Sequence, residues 1–116
     1  MNEIGEIQHL IEDVLQKIVV GYSPQRVILF GSYAYGQPDE NSDVDLLIIK
    51  ETNKRPIERW MEVKRLVRDR NRTVSISPLV YTPRELEERL AIKDFFIQEV
   101  LEKGKVLYIF NSNKGG

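Results

Sequence analysis

The stretch Val27–Ile49, VILFGSYAYGQPDENSDVDLLII, constrains the fold of this chain more than any other. Val27-Ile28-Leu29-Phe30 is a continuous apolar run, the pattern of a short strand buried on both faces. Gly31 ends it and accepts backbone conformations that other residues resist. Ser32 then opens a helical turn through Tyr33, Ala34 and Tyr35, and Gln37–Ser42 is a polar loop around Pro38. A second strand runs from Asp43 to Ile49. Ten residues separate Ser32 from Asp43, whereas parallel neighbours need a crossover of about a dozen or more. The two strands are therefore antiparallel, and the end of the first meets the start of the second.

Side chains alternate along a strand, so Asp43 and Asp45 share one face, ~6–7 Å apart along the chain. Val44, Leu46 and Ile48 point the other way, and Leu47 and Ile49 continue the carboxylate face as apolar residues. Gly31-Ser32 and the two aspartates thus converge on one rim of the sheet. A glycine followed by a hydroxyl residue at a helical turn offers unpaired N–H groups and a side-chain donor, which suit phosphate oxygens. Two carboxylates on one face repel unless a cation lies between them, and hard oxygen pairs hold Mg²⁺, which takes its remaining ligands from water and substrate phosphates. Either half alone is ordinary, since Gly-Ser is usually a turn and Asp-x-Asp often caps one. Joined by a spacer that folds one onto the other, they point to a metal-bound nucleotide.

The rest of the chain supports this centre. Ile4, Ile7, Ile11, Val14 and Ile18 recur at helical spacing, predicting an amphipathic helix over about 3–20 that Gly21, Ser23 and Pro24 end. His9, the only histidine, is a helix-surface residue on this reading. From Pro56 a second helix carries Ile57, Trp60, Met61, Val63, Leu66 and Val67 and ends near Arg70-Asn71. A third strand, Thr73–Tyr81, then lies parallel to the second through a right-handed crossover. Ser75 and Ser77 fall at the aspartate rim, and Pro78 marks an edge or bulged strand. Thr82-Pro83-Arg84-Glu85 reads as a capping box. Two helices follow, separated around Ala91–Asp94, the second reaching Lys103 with Gly104 as its cap. Lys105–Phe110 is a terminal strand. The fold class is α+β: a small mixed β-sheet with an antiparallel first pair, a parallel third strand and helices packed against it. We expect one domain over 1–110, with the N-terminal helix in 1–22, the core in 24–110 and a tail in 111–116.

Composition narrows the function. A chain of 116 residues holds one core, and a net charge of −1 gives no general attraction to nucleic acid or anionic membrane. The lack of cysteine excludes disulfides and thiolate metal sites and fits a reducing cytoplasm. No apolar run approaches the ~18 residues of a membrane span, and MNEIGEIQHL does not follow the plan of a signal peptide. Lys50–Arg72 holds nine basic residues against four acids. Most of these read as a solvated helix face, but Arg70 and Arg72 fall near the aspartate rim, where they could meet a triphosphate or an acidic partner. Arg26 and Lys50 lie at the far ends of their strands, ~15 Å or more away. Tyr33 and Tyr35 flank the phosphate turn, placed either to stack on a base or to pack under the sheet.

Gly31-Ser32, ten residues and Asp43-x-Asp45 resemble the signature of nucleotidyltransferases of the DNA polymerase β superfamily. LFGSYAYG, SDVDLLII, YTPRELEERL and EVLEKGKVLY resemble its smallest members, the minimal nucleotidyltransferase (MNT) domains, over about Pro24–Tyr108. The resemblance implies that Gly31 and Ser32 hold the phosphates of a nucleoside triphosphate, with ATP the first choice. It implies that Asp43 and Asp45 are the catalytic, Mg²⁺-binding carboxylates of nucleotidyl transfer. It also implies a partner protein, since many MNT proteins act as antitoxins beside a HEPN-domain partner, some by transferring AMP to its tyrosine. Active members carry a third acidic residue early on the strand parallel to Asp43–Ile49. Here that position is Ser77, and no residue between Arg70 and Arg84 is acidic. A second expectation follows: a nucleotide-binding antitoxin, weakened or inactive in catalysis, that acts by complex formation. Nucleic-acid binding through the Lys50–Arg72 helix is the third and weakest, and self-association stays open.

Overall fold

The computed structural model describes residues 3–111. They form five helices and four strands in the order α1 (Glu3–Tyr22), β1 (Arg26–Phe30), α2 (Ser32–Tyr35), β2 (Val44–Ile49), α3 (Pro56–Leu66), β3 (Ile76–Tyr81), α4 (Pro83–Ala91), α5 (Phe95–Lys103) and β4 (Lys105–Ile109). The sheet order is β3-β2-β1-β4. β1 is antiparallel to both β2 and β4, and β3 is parallel to β2. This is the α+β arrangement that the connection lengths predict. Most of the expected tail, from 112 onward, lies outside the described residues. Among the described residues no helix is long and apolar enough to cross a membrane.

Each face of the sheet buries its own set of alternating side chains. Val27, Leu29, Val44, Leu46, Ile48, Ile76 and Val80 join Val14 and Ile18 of α1 and Val63 and Val67 of the α3 end in one core. Ile28, Leu47 and Ile49 meet Leu86 of α4 and Ile97 and Val100 of α5 on the other. β2 is central and its last four residues are all buried, which explains its continuous apolar run.

Three boundaries differ from the sequence reading by two residues or more, and β1, β2 and β4 each differ by one. α1 does not stop at Gly21 but continues to Tyr22; a Cβ on Gly21 would lie 2.5 Å from Leu66 Cδ2, so this glycine lets α1 cross α3 closely. α3 ends at Leu66, short of Arg70-Asn71. Beyond it, Asp69 Oδ1 accepts the Asn71 N–H at 2.9 Å, a side-chain turn that competes with helix. β3 begins at Ile76 and not Thr73, although Ser75 already accepts the Val44 N–H at 2.9 Å.

The two-helix reading of α4 and α5 holds, with Ile92–Asp94 between them. Thr82 Oγ1 accepts the Glu85 N–H at 3.1 Å while Glu85 Oε1 accepts the Thr82 N–H at 2.9 Å, the reciprocal capping box.

β3 is an edge strand, as Pro78 requires. Its even-numbered residues turn their backbone groups outward, and this edge is closed. Lys64 Nζ donates to the Ile76 carbonyl at 2.9 Å, Arg59 Nη1 donates to the Val80 carbonyl at 3.2 Å, and Pro78 has no N–H to offer. Arg59 is itself buried at 5% exposure. It also donates from Nη1 to Glu85 Oε1 at 2.7 Å and from Nε to the Lys54 carbonyl at 2.7 Å, tying α3, β3 and α4 together.

Candidate functional site

The β1–β2 register brings Phe30 opposite Asp45. Gly31, the next residue, has φ +74° and ψ −160°, a region that only glycine occupies without strain. The tight contact across the strands gives a second reason for glycine. A Cβ built on Gly31 would lie 2.2 Å from Asp45 Oδ2, so the carboxylate oxygen fills the space a side chain would take. Gly31-Ser32 and Asp45 are therefore brought together, as the short connection predicts.

α2 follows at once. The Ala34 and Tyr35 N–H groups donate to the Gly31 carbonyl at 3.0 and 3.1 Å, and Gly36 closes the turn at φ +82°. The N–H groups of Ser32 and Tyr33 precede the first intrahelical bond and have no partner within the helix. Ser32 Oγ makes no hydrogen bond with other described residues. Ala34 is buried, Tyr33 packs against the core under α1 and α3, and Tyr35 is exposed. Of the two tyrosines, Tyr33 takes the packing role and Tyr35 faces solvent.

Asp43 stands one residue before β2, at the end of a turn that closes on itself. Asp39 Oδ1 accepts the Asn41 N–H at 2.8 Å, and the Ser42 N–H donates to the Asp39 carbonyl at 3.1 Å. Asp43 is exposed and Asp45 half-buried. Burial, and then the charge of Asp43, push the Asp45 carboxyl group above the usual carboxylate range. Part of the apolar wall is visible: Phe30, directly across the ladder, meets Phe96 of α5 edge-on at 5.5 Å between ring centroids. Among the described residues neither aspartate makes an ion pair. Two neighbouring carboxylates with no lysine or arginine paired to them could hold a hard divalent ion that shares its other ligands with phosphate and water.

In the β2–β3 register Ser77 is the partner of Asp45. Partners across a ladder point to the same face, so Ser77 occupies the third corner of the rim. No group of three or more acidic or histidine side chains among the described residues could hold a metal.

The basic residues divide. Lys50 donates to the Tyr22 carbonyl at 2.7 Å at the opposite end of β2, away from the rim as expected. Arg72, placed near the rim by the sequence reading, donates to the Val74 carbonyl at 3.1 Å and to the Val67 carbonyl. Those bonds secure the turn between α3 and β3. Sequence reasoning missed the Arg59–Glu85 pair; Glu85 announced itself only as a capping residue, and no local spacing links it to Arg59.

Comparison with known proteins agrees with this fold. The sequence profile of the nucleotidyltransferase domain matches residues 7–109. Two proteins of Methanocaldococcus jannaschii, both provisionally named protein adenylyltransferase, are 36% identical over 85 residues and 40% identical over 84 residues. These matches take in 69% and 68% of this chain and span 58% and 74% of the relatives' own lengths. The crystal structure of a provisionally assigned nucleotidyltransferase from Sulfolobus solfataricus superposes with a TM-score of 0.59 at 17% identity, covering 87% of this chain and 78% of that one. The fold is thus that of a nucleotidyltransferase. This chain belongs to the nucleotidyltransferase domain family.

Proposed function

We propose that the chain binds a magnesium-bound nucleoside triphosphate, ATP first, and transfers its nucleotidyl group to a hydroxyl of a partner protein. Gly31 and Ser32 would hold the phosphates, and Asp43 and Asp45 would hold the ion. The observation that carries this reading is the seating of Asp45 Oδ2 against Gly31, where a Cβ would be 2.2 Å away. A carboxylate in contact with the phosphate turn suits an ion shared between the two. When bound, Mg²⁺ would neutralise phosphate charge and orient the triphosphate.

The chain's own groups would do the rest. Backbone N–H groups at the start of α2 and the Ser32 hydroxyl would orient the phosphates, and Phe30 and Phe96 would exclude water from the Asp45 side. In the transfer, the acceptor oxygen forms a bond to the α-phosphorus, the bond to the bridging oxygen of the β-phosphate breaks, and pyrophosphate leaves. The acceptor proton goes to solvent or to a carboxylate. The names of the two archaeal relatives favour adenylyl transfer to protein, and the resemblance to MNT antitoxins favours a HEPN-type partner. ATP as substrate fits a cytoplasmic location.

The Ser77–Asp45 pairing supports a second reading. With a hydroxyl in the third corner, one ion and a nucleotide fit, but a second ion and a proton acceptor for the incoming hydroxyl are missing. On that reading the protein binds nucleotide and neutralises its partner by forming a complex.

One experiment separates the two. The protein is incubated with Mg²⁺ and ATP labelled at the α-phosphate, with and without the product of the adjacent gene, and a Mg-dependent thermal shift with ATP is measured in parallel. Label on either protein supports transfer. A shift without label leaves the second reading standing, and no shift at all overturns both.

A further inference from the structure

Beside the rim lies a groove of about 440 Å³ between the C-terminal half of α3 and the start of β3, lined by Trp60, Lys64, Arg65, Arg68, Arg72 and Ser75 among others. Its charge is not neutralised by ion pairs with described residues. At the start of α3 every cation is paired: Lys54 with Glu62 at 3.8 Å, Arg55 with Glu58 at 3.2 Å and Arg59 with Glu85 at 2.7 Å. From Lys64 to Arg72 none of the basic residues makes an ion pair with a described residue. That segment holds five basic residues against Asp69, +4 in a chain whose net charge is −1.

Two of these cations are already fixed. Lys64 donates to the Ile76 carbonyl and stands 5.6 Å from the centre of the Trp60 ring. Arg72 donates to the Val67 and Val74 carbonyls. Each keeps further N–H donors for a ligand, at a smaller ordering cost than a free side chain. Arg65 and Arg68 are exposed beside them. The groove ends at Ser75, whose carbonyl accepts the N–H of Val44, the residue between the two aspartates.

We propose that this groove binds an acidic segment of the acceptor protein and thereby presents its hydroxyl at the Asp45–Ser77 rim. This rests on the nucleotide-transfer reading for its purpose, but not for its binding. Two observations favour a polypeptide held by its side chains. At the β3 edge, beside the groove, Pro78 and the Arg59 and Lys64 bonds to the Val80 and Ile76 carbonyls hinder an added strand, so a partner in the groove is held by side chains and not by pairing with β3. The acidic remainder of the chain disfavours a long polyanion such as RNA, and the face of the one tryptophan already carries Lys64.

Trp60 is the only tryptophan, 43% exposed, so its fluorescence reports on the groove directly. Octaglutamate is titrated into the full-length protein, with an octathymidylate as the competing polyanion and Mg-ATP thermal shift as an independent readout. We expect a saturable change in Trp60 emission with octaglutamate. Arg65→Ala with Arg68→Ala should weaken it about tenfold, the loss expected for two exposed charge contacts. Arg65→Lys with Arg68→Lys should stay within about threefold of wild type, and Arg84→Ala, outside the groove, should change nothing. Unaltered affinity in the double alanine variant, or tighter binding of octathymidylate than octaglutamate, overturns the proposal. The Mg-ATP shift should survive in every variant. Its absence in the wild type would overturn the nucleotide reading while the emission titration still decides the groove.

Discussion

Asp45→Asn separates a functional carboxylate from a structural one. In the folded chain the Asp45 carboxyl is pushed up, first by burial and then by Asp43. A carboxyl group whose folded value is raised contributes stability that is fully present below its unfolded value and is lost as pH rises through the folded value. At neutral pH the ionised side chain therefore opposes folding, and asparagine, of nearly the same shape, removes that opposition. Two unit charges about 6.5 Å apart repel by roughly 0.6 kcal/mol in bulk water and roughly 2.5 kcal/mol at an effective dielectric of about 20. Asp43 is exposed, so the lower part of that range applies. A gain of about 1 kcal/mol would raise Tm by about 3–5 °C for a domain of this length. Calorimetry from pH 4 to 8 without divalent ions should show Asp45→Asn more stable than wild type at pH 7, with the difference closing toward pH 4. With Mg-ATP the order should reverse, because the wild type alone gains from ligand. A ligand-free variant that melts lower than wild type at pH 7 would refute the reasoning, since Asp45 would then be holding the fold together.

Gly31→Ala meets two obstacles, the positive φ and the 2.2 Å approach to Asp45 Oδ2. The backbone strain alone costs about 1–3 kcal/mol, and Asp45→Ala in the same chain should recover only the part due to the clash, which denaturant unfolding of the single and double variants measures. Glu85 is held below the usual carboxylate range chiefly by its hydrogen bond from Arg59, so its contribution is present above the unfolded value and lost as pH falls through the folded one. Glu85→Gln should flatten the acid limb of the stability–pH curve below about pH 5 and cost about 1–2 kcal/mol at pH 7, a modest figure because the carboxylate is partly solvated. Ser77→Asp should lower the ligand-free Tm through added repulsion with Asp45 and raise labelled transfer from ATP at least about tenfold, the contribution typical of a positioned proton acceptor. No gain in transfer would count against Ser77 as the missing corner.

What the sequence disclosed was whatever local pattern controls. The antiparallel β1–β2 pair followed from a connection too short for a crossover, and the parallel β3 from one long enough for α3. Pro78 fixed an edge, and the Thr82 capping box fixed the start of α4. The meeting of Gly31-Ser32 with Asp45 was legible for the same reason, because strand alternation and loop length leave no other arrangement. Contacts between distant segments were not. The crossing of α1 and α3 at Gly21 depends on Leu66, and the burial of Arg59 depends on Glu85, 26 residues away. Neither is marked by spacing. Arg72 lines the groove beside the rim, but part of its donor capacity goes to carbonyls left over at the α3 end, a local bond that strand position alone does not disclose.

The same distinction explains why the third corner matters more than its size suggests. Gly31 and Asp45 are locked together by backbone register, so this side of the rim leaves little freedom to either residue. Ser77 is held by register just as firmly, through its pairing with Asp45, but a hydroxyl adds no charge to the repulsion that Asp43 and Asp45 already impose. A carboxylate there would need a second cation to be tolerated, whereas serine lets the rim stand with one ion or none. On our reading the ligand-free fold is thereby relieved at the expense of transfer chemistry, and any proton acceptor for the incoming hydroxyl would have to arrive with the partner seated in the α3–β3 groove. Ser77→Asp assayed with that partner tests the point: labelled transfer should rise at least about tenfold over wild type, and no rise would mean that the corner lacks nothing once the partner is seated.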